Sequence, residues 1–355
     1  MKDSEAQIRA EAVVPTSDLS GDIGFFTRRL GFRLDVIFPA DDPAVAVLSG
    51  HGTRIRLQRG GTGAPGCIRI ASEAPATLAD GEAELRAPGG TTVEIVRLNP
   101  PLEIPAATHG YVVRRLRDEA PWVIGRAGMQ YRDLIPDRLG GAIIASHIRI
   151  PDGGPVPDMV HYHTIGFQLI YCYRGWVDLV YEDQGPPFRL SEGDCVIQPP
   201  EIRHRVLFAS DNIEVIEIGV PAEHMTTIDH DMTLPTPHLR PDREFGGQVF
   251  CRHECSAAQW VPWCLRGYEH RETGIAEATR GVAAVQIVRA AGAARSVFVH
   301  DAEILFCFVM EGGLTLETSG RAAETLLAGD AFVTPPGEPT TFSDVTTNLE
   351  LLVVS

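Results

Sequence analysis

Residues 161–204 decide the fold of this chain, and they read HYHTIGFQLIYCYRGWVDLVYEDQGPPFRLSEGDCVIQPPEIRH. Runs of β-branched and aromatic residues alternate here with Gly, Pro and Asp, a pattern typical of short strands joined by tight turns. The run NIEVIEIGV at 212–220 continues it. No segment of comparable length shows a helical period, so the pattern predicts an all-β barrel or double-sheet jelly roll.

The same pattern occurs a second time along the chain. GDCVIQPPEIRH at 193–204 is matched in kind by GDAFVTPPGEPT at 329–340. Five anchor residues recur at offsets of 136 to 140 positions, namely Trp122, Arg132, Arg149, Gly175 and Gly193 as Trp260, Arg271, Arg289, Gly312 and Gly329. The repeat predicts two copies of one β unit, at 106–225 and 247–355, joined by a polar, proline-containing linker at 226–246.

Residues 1–105 have a different pattern. AEAVVPT reads as a strand, and SDLSGDIGFFTRRLGF reads as a helix that Gly31 ends as a C-terminal cap. The remaining residues read as further strands. One helix followed by a run of strands predicts a small α+β module.

Composition narrows the class of protein. The chain has 355 residues, of which 44% are apolar and 22% charged, and 31 basic against 47 acidic residues give a net charge of −16. Such a surface repels a polyphosphate, so we expect no nucleic-acid partner, and no apolar run is long enough to predict a membrane partner. Seven scattered cysteines and no export signal favour reduced thiols and a cytoplasmic location.

Residues 151–204 resemble the two sequence motifs of the cupin superfamily, small β-barrels that usually hold one metal ion. The matching positions are His161, His163, Gln168 and Gly175 in the first motif and Gly193, Pro199 and His204 in the second. Gln168 replaces the usual Glu, and Glu201 replaces a usual Gly. The resemblance implies a two-barrel cupin, or bicupin, with a metal held by the three histidines, with or without Gln168 as a direct ligand.

Residues 8–97 resemble one module of the vicinal oxygen chelate, or glyoxalase-like, superfamily. The segments that show the resemblance are GFFTRRLGFRL, DDPAVAVLSGHGTRIRLQRG and APGGTTVEIVRL. Glu94 lies where that family places a metal-binding Glu, but the first strand has no His. Since such modules pair in their family and this chain carries one, the resemblance implies a homodimer formed through residues 1–100.

The proposed ligands also make chemical sense together. His161 and His163 at i and i+2 on one strand point to the same face of the sheet. Imidazole suits iron, zinc and nickel, and four ligands leave two positions of a six-coordinate ion open. Because Gln168 is neutral, the ion would keep its full charge and favour an anionic substrate. We expect one divalent ion per chain, Fe(II) first, with Zn, Mn or Ni as alternatives.

The second copy serves as an internal comparison. The positions that match the four ligands are Phe298, His300, Leu305 and Thr340. A single histidine among apolar residues predicts a degenerate metal site, so we assign the metal to the first copy.

His147 and Arg149 are the other candidates, because they lie on the strand before the first motif. Arg149 could bind a substrate carboxylate with its guanidinium fork. The alternative is a structural ion pair, since Arg289 repeats the arginine in the second copy.

Three functions stay open at this point. We expect a mononuclear iron dioxygenase, an oxidoreductase that acts on a small anionic oxygenated compound, aromatic ones included. The first alternative is a redox-neutral, metal-dependent isomerase, cyclase or lyase. The second is a small-molecule-binding cupin protein without turnover.

Overall fold

The computed structural model describes residues 8–118, 121–292 and 295–355. The chain divides into two compact units, one ending at Pro101 and the other running from Leu102 to Ser355. Strands predominate in both. In the described part of the chain, no helix is long and apolar enough to cross a membrane.

Residues 8–101 of the first unit form one α-helix and seven strands. The helix α1 spans Leu19–Arg28, and the strands are β1 Ala12–Thr16, β2 Arg33–Phe38, β3 Val45–Gly50, β4 Thr53–Arg59, β5 Cys67–Ser72, β6 Glu84–Arg86 and β7 Thr92–Arg97. The Asp18 side chain caps α1 by accepting a hydrogen bond from the Gly21 amide. Gly31 adopts φ 71°, so the predicted helix and its glycine stop are confirmed.

Two sheets form this unit, and they share one apolar core. The first has the order β1-β4-β3-β2 with β1 parallel to β4, and the second has the order β5-β7-β6 with β5 parallel to β7. In both sheets one strand pairs parallel to its neighbour and the remaining strands pair antiparallel, so the second sheet repeats the pairing of the first with one strand fewer. The sequence predicted a single module over these residues. Glu94 is exposed on β7. Pairing of two chains through residues 1–100 stays a prediction.

In the second unit, the described residues up to Ile228 form thirteen strands. They are β8 Val112–Arg114, β9 Val123–Ile124, β10 Gln130–Asp133, β11 Ile144–Ile150, β12 Gly154–Pro155, β13 His161–Thr164, β14 Phe167–Arg174, β15 Trp176–Tyr181, β16 Phe188–Ser191, β17 Cys195–Ile197, β18 His204–Ala209, β19 Ile213–Val220 and β20 Met225–Ile228. The start of the segment expected as a linker is thus a strand, because β20 pairs with β13.

A second set of strands follows along the chain. They are β21 Glu244–Phe245, β22 Gln248–Val249, β23 Arg252–His253, β24 Val261–Pro262, β25 Tyr268–Glu272, β26 Val285–Ala290, β27 Ser296–Phe298, β28 Leu305–Glu311, β29 Gly313–Thr318, β30 Glu324–Leu327, β31 Ala331–Thr334, β32 Thr340–Ser343 and β33 Glu350–Val354. A one-turn helix, α2, spans Ile275–Ala278.

These strands build two β-sandwiches. The first sandwich packs the sheet β23-β17-β14-β19-β11-β10-β9 on the sheet β16-β15-β18-β13-β20, and the second packs β24-β25-β26-β33-β28-β31-β8 on β27-β32-β29-β30. Each sandwich receives one strand from the other copy, since β8 pairs with β31 and β23 pairs with β17. The two copies are therefore joined by exchanged strands.

Alternate residues of the long strands serve two cores. On β14, Ile170 and Cys172 face the interior of the first sandwich. Tyr171 and Tyr173 face the opposite way, into a core shared with Phe306 and Phe308 of the second sandwich. Both faces of these strands are thus buried, which explains their nearly continuous apolar sequence.

Candidate metal centre

Three buried histidines meet inside the first sandwich. His161 and His163 lie on β13 and point to the same face, and His204 lies on β18 directly opposite His161. One ring nitrogen from each lies within 4.8 Å of the other two. In the described residues this is the one group of three or more His, Cys, Asp or Glu side chains arranged to hold a metal ion. The structure thus brings together the three histidines that the sequence singled out.

Backbone carbonyls hold two of the imidazoles in one tautomer. Nδ1 of His161 donates to the Met159 carbonyl at 2.7 Å, and Nδ1 of His204 donates to the Ile202 carbonyl at 3.0 Å. Because a carbonyl can only accept, the proton must sit on Nδ1, and each Nε2 keeps a free lone pair. Nε2 of His161 is buried without a hydrogen-bond partner. Anchored imidazoles of this kind are typical of metal ligands.

The third imidazole is held by a hydroxyl. Thr226 Oγ1, on β20, lies 2.9 Å from Nδ1 of His163. Thus β20 contributes to the site, although sequence reasoning placed it in the linker.

Burial keeps all three imidazoles neutral. Desolvation lowers the pKa of His161 and lowers that of His204 well below its usual value. Desolvation, reinforced by the nearby His161 and His224 rings, lowers the pKa of His163 to about 2. Since a neutral imidazole is the form that binds a metal, the folded chain presents its ligands ready to bind.

Gln168 lies on β14, buried and 1% exposed. Its Nε2 donates to Glu217 Oε1 on β19 at 2.6 Å, and its Oε1 is buried without a partner. The amide therefore has one end fixed by a carboxylate and the other end free to accept.

A cavity of about 300 Å³ opens beside the histidines. Its walls are mainly aliphatic, from Ile144, Ile148, Ile150, Ile170, Val177, Leu179, Val206, Ile213 and Val215. His163, His204 and Glu217 supply polar atoms to it. The volume fits a small molecule with an apolar body and few polar groups.

Arg126 and His224 are among the further polar residues that line the cavity, and sequence reasoning missed both. Arg126 donates to Asp158 Oδ1, and its NH1 group lies 3.5 Å from Nδ1 of His161. The His224 ring lies 5.4 Å from that of His163, and its Nδ1 contacts the Pro221 carbonyl at 3.1 Å. Arg126 and His224 lie in turns without a periodic pattern, so no sequence pattern singles them out.

His147 and Arg149, the two further candidates from the sequence, are not among the residues that line this cavity. On β11 their neighbours Ser146 and Ile148 line it instead. Nε2 of His147 donates to Glu214 at 2.6 Å, and its ring packs on Phe308 of the second sandwich. Arg149 lies over the Trp122 ring and donates to a neighbouring glutamine. Both residues belong to the opposite face of the sheet.

The matching positions of the second sandwich have another environment. The Phe298 ring packs 4.9 Å from that of Phe342, and Leu305 and Thr340 are buried. Nε2 of His300 contacts the Thr334 carbonyl at 3.0 Å. Phenyl rings and aliphatic side chains fill the space that the histidines occupy in the first sandwich.

The first site fits a divalent metal ion. Three anchored, neutral imidazoles converge in it, and His161 Nε2 is a buried acceptor atom that no protein group satisfies. Gln168, which donates to the cavity-lining Glu217, carries a second such acceptor in its Oε1. Leaving such an atom unpaired costs about 1–3 kcal/mol, and a bound cation removes that cost. Imidazole with oxygen donors suits iron, zinc and other transition ions.

Comparisons with known proteins bear on the fold. No family model and no curated protein matches the chain. Among solved structures, the salicylate 1,2-dioxygenase of Pseudaminobacter salicylatoxidans is 17% identical with a TM-score of 0.51, covering 71% of this chain and 86% of that one. A variant of Bacillus subtilis oxalate decarboxylase is 10% identical with a TM-score of 0.52, covering 73% and 79%.

A third neighbour is the protein Ylba from E. coli, 11% identical with a TM-score of 0.50, covering 71% of this chain and 93% of that one. Identities this low carry information on the fold alone. The three neighbours are cupin-type proteins, and this chain has a mainly β, cupin-type fold.

Proposed function

We propose that this chain is a metal-dependent cupin enzyme, a mononuclear iron(II) dioxygenase that acts on a small anionic oxygenated compound, aromatic ones included. The observation that carries the proposal is the group of three anchored, neutral histidines at the edge of a mainly apolar cavity. His161, His163 and His204, with Gln168, would hold the metal. When bound, iron(II) supplies Lewis acidity and the electrons that dioxygen chemistry needs.

The chain's own residues explain how a substrate would be held. Aliphatic walls from both sheets exclude water from the body of the molecule. Arg126 places a permanent positive charge on the cavity wall, although Asp158 shares its guanidinium. The anionic group of a substrate would therefore be attracted to the end of the cavity that holds the metal. The apolar part of the substrate would pack against the isoleucines. The salicylate dioxygenase supports this proposal as a neighbour of the same fold.

The proposed architecture is a glyoxalase-like module followed by two cupin barrels. The order β1-β4-β3-β2, with α1 between β1 and β2, supports the first part. The two strand-exchanged sandwiches support the second, with the metal in the first one alone.

Oxygen consumption tests the proposed reaction. Protein purified without oxygen and loaded with Fe(II) would be offered hydroxybenzoates and diketone acids in an oxygen electrode, beside Zn(II)-loaded protein as the control. We expect one dioxygen consumed per substrate and both atoms of ¹⁸O₂ in the product, with the iron form alone. Substrate binding without oxygen uptake in any metal form contradicts the proposal and favours a binding protein.

A redox-neutral lyase, isomerase or cyclase using Mn, Zn or Ni is the second candidate. A neighbour with the same fold, at 12% identity and a TM-score of 0.52, is Bacillus subtilis oxalate decarboxylase studied for its Mn(II) centres. Product formation at equal rates with and without dioxygen, and with Zn(II) or Mn(II), would establish this candidate and exclude the dioxygenase.

A further inference from the structure

The pairing of Gln168 with Glu217 fixes which end of the amide is free. A carboxylate only accepts hydrogen bonds, so the NH₂ group of Gln168 must face Glu217 Oε1, 2.6 Å away. Oε1 of Gln168 is then the free end, and it is buried without a partner. The orientation of the amide is thus set by the chemistry of Glu217.

Glu217 occupies an unusual place on its strand. Its inward neighbours at i−4 and i−2 on β19, Ile213 and Val215, are aliphatic and line the same cavity. A carboxylate in this row costs desolvation free energy unless it has a partner, and the amide of Gln168 is that partner. The residue therefore calls for an explanation beyond packing.

The two orphaned acceptors are both deeply buried in the first sandwich. Nε2 of His161 and Oε1 of Gln168 belong to side chains at most 1% exposed, and neither side chain lines the cavity. Gln168 lies on β14 in alternation with Ile170, which lines the cavity. Its partner Glu217 lines the same cavity as His163 and His204.

We propose that Glu217 is a positioning residue that holds the Gln168 amide with its carbonyl oxygen presented to the metal. It also keeps a negative charge one hydrogen bond away from a neutral ligand. The inference rests on the proposed metal centre. It accounts for Gln168 in place of the usual Glu, because a carboxylate at 168 would face that of Glu217 at hydrogen-bond distance, where like charges repel.

The test is an exchange of the two side chains, which have nearly the same shape. Wild-type protein, Glu217→Gln, Gln168→Glu and the double variant would be titrated with Co(II) against a chromophoric chelator, and the visible bands of bound Co(II) recorded. We expect Glu217→Gln to weaken Co(II) binding about 10- to 100-fold, as is usual when the partner of a metal ligand is lost. The double variant restores the hydrogen bond with the charge moved to position 168. We expect its affinity to return to the wild-type value or exceed it, with shifted Co(II) bands.

Glu214→Gln is the matched control. Glu214 lies on the same strand, and its carboxylate accepts from His147 on the opposite face of the sheet. We expect its Co(II) affinity to equal that of wild type, and thermal unfolding of each metal-free variant reports whether it folds. Glu217→Asp keeps the negative charge on a shorter side chain and serves as a second test variant. It should also bind Co(II) more weakly than the wild type.

Two results overturn the inference. Wild-type affinity and wild-type Co(II) bands in Glu217→Gln would show that the carboxylate has no influence on the metal. Independent effects of the two substitutions, adding up in the double variant, would show that they do not act as a pair. Failure of the wild-type protein itself to bind Co(II) would instead refute the metal centre on which the inference rests.

Discussion

Metal binding to the folded chain should release almost no protons between pH 5.5 and 7.5. The experiment changes the pH, and we expect little proton release because the three histidine ligands are buried. Desolvation lowers the pKa of His163 to about 2 and that of His204 well below its usual value, and it lowers the pKa of His161 as well. A metal ion therefore meets imidazoles that carry no proton to displace.

The size of the effect follows from the ordinary pKa. An exposed imidazole has a pKa of about 6.5, so at pH 5.5 its protonated form outnumbers its neutral form about ten to one. Protonation of each such ligand would therefore weaken metal binding about tenfold. Three exposed imidazoles would weaken it roughly a thousandfold between pH 7.5 and 5.5. For the buried site we expect a loss of at most about tenfold, the contribution of one imidazole.

Calorimetry measures the effect directly. Zn(II) titrations at pH 5.5 and 6.5, each in two buffers of different ionisation enthalpy, count the protons released per ion, and competition with a chelator of known pH dependence gives the dissociation constant. We predict fewer than one proton released. Two or three protons, with a thousandfold loss of affinity, would refute the reasoning, because the imidazoles would then be accessible and protonated in the folded chain.

Three further predictions concern stability. Because burial lowers the pKa of His163 and His204 in the folded chain, the unfolded chain takes up protons that the folded chain does not. The unfolding free energy of the metal-free protein should therefore be highest above about pH 7 and decrease below pH 6.5 by about 1.4 kcal/mol per histidine per pH unit. Guanidinium titrations at several pH values measure this change. Equal unfolding free energies at pH 5.5 and 7.5 would contradict the prediction. Metal at 100 times its dissociation constant should stabilise the protein by about 2.7 kcal/mol and raise Tm by a few degrees, and His161→Ala should lose this shift in calorimetry. Gly219→Ala should cost about 1–3 kcal/mol, because its Cβ would lie 3.1 Å from Ile165 Cδ1, 3.2 Å from Ile144 Cγ2 and 3.3 Å from His224 Cε1, and an unchanged Tm would show that these side chains can move aside.

Local patterns predicted the elements and the histidines well. A strand alternates with period two, so His161 and His163 had to share a face, and the spacing to His204 matched a known motif. The helix α1 was predictable from its sequence pattern and its Gly31 stop. These features depend on short stretches of sequence, where a residue's neighbours decide its conformation.

The orientation of His147 and Arg149 could not be predicted from alternation, for a physical reason. Alternation shows which residues share a face but not which face is the interior. On β11 both faces are buried, one in the cavity and one against the second sandwich. Hydrophobicity therefore gives no contrast between the faces, and a partner domain, which the strand itself does not reveal, decides the outcome.

Glu217 could have been found from the sequence, and His224 could not. In the run NIEVIEIGV, a carboxylate interrupts an alternate row of aliphatic residues, which is a visible departure from the pattern. His224 and Arg126 lie in turns whose course depends on tertiary packing.

Metal content tests the central claim most directly. Protein purified without oxygen, together with His161→Ala and with His230→Ala as a control at an exposed histidine, would be subjected to elemental analysis. We predict about one iron per chain in the wild type and in His230→Ala, and none in His161→Ala. Absence of any stoichiometric transition metal from the wild type, or equal metal in His161→Ala, would contradict the account.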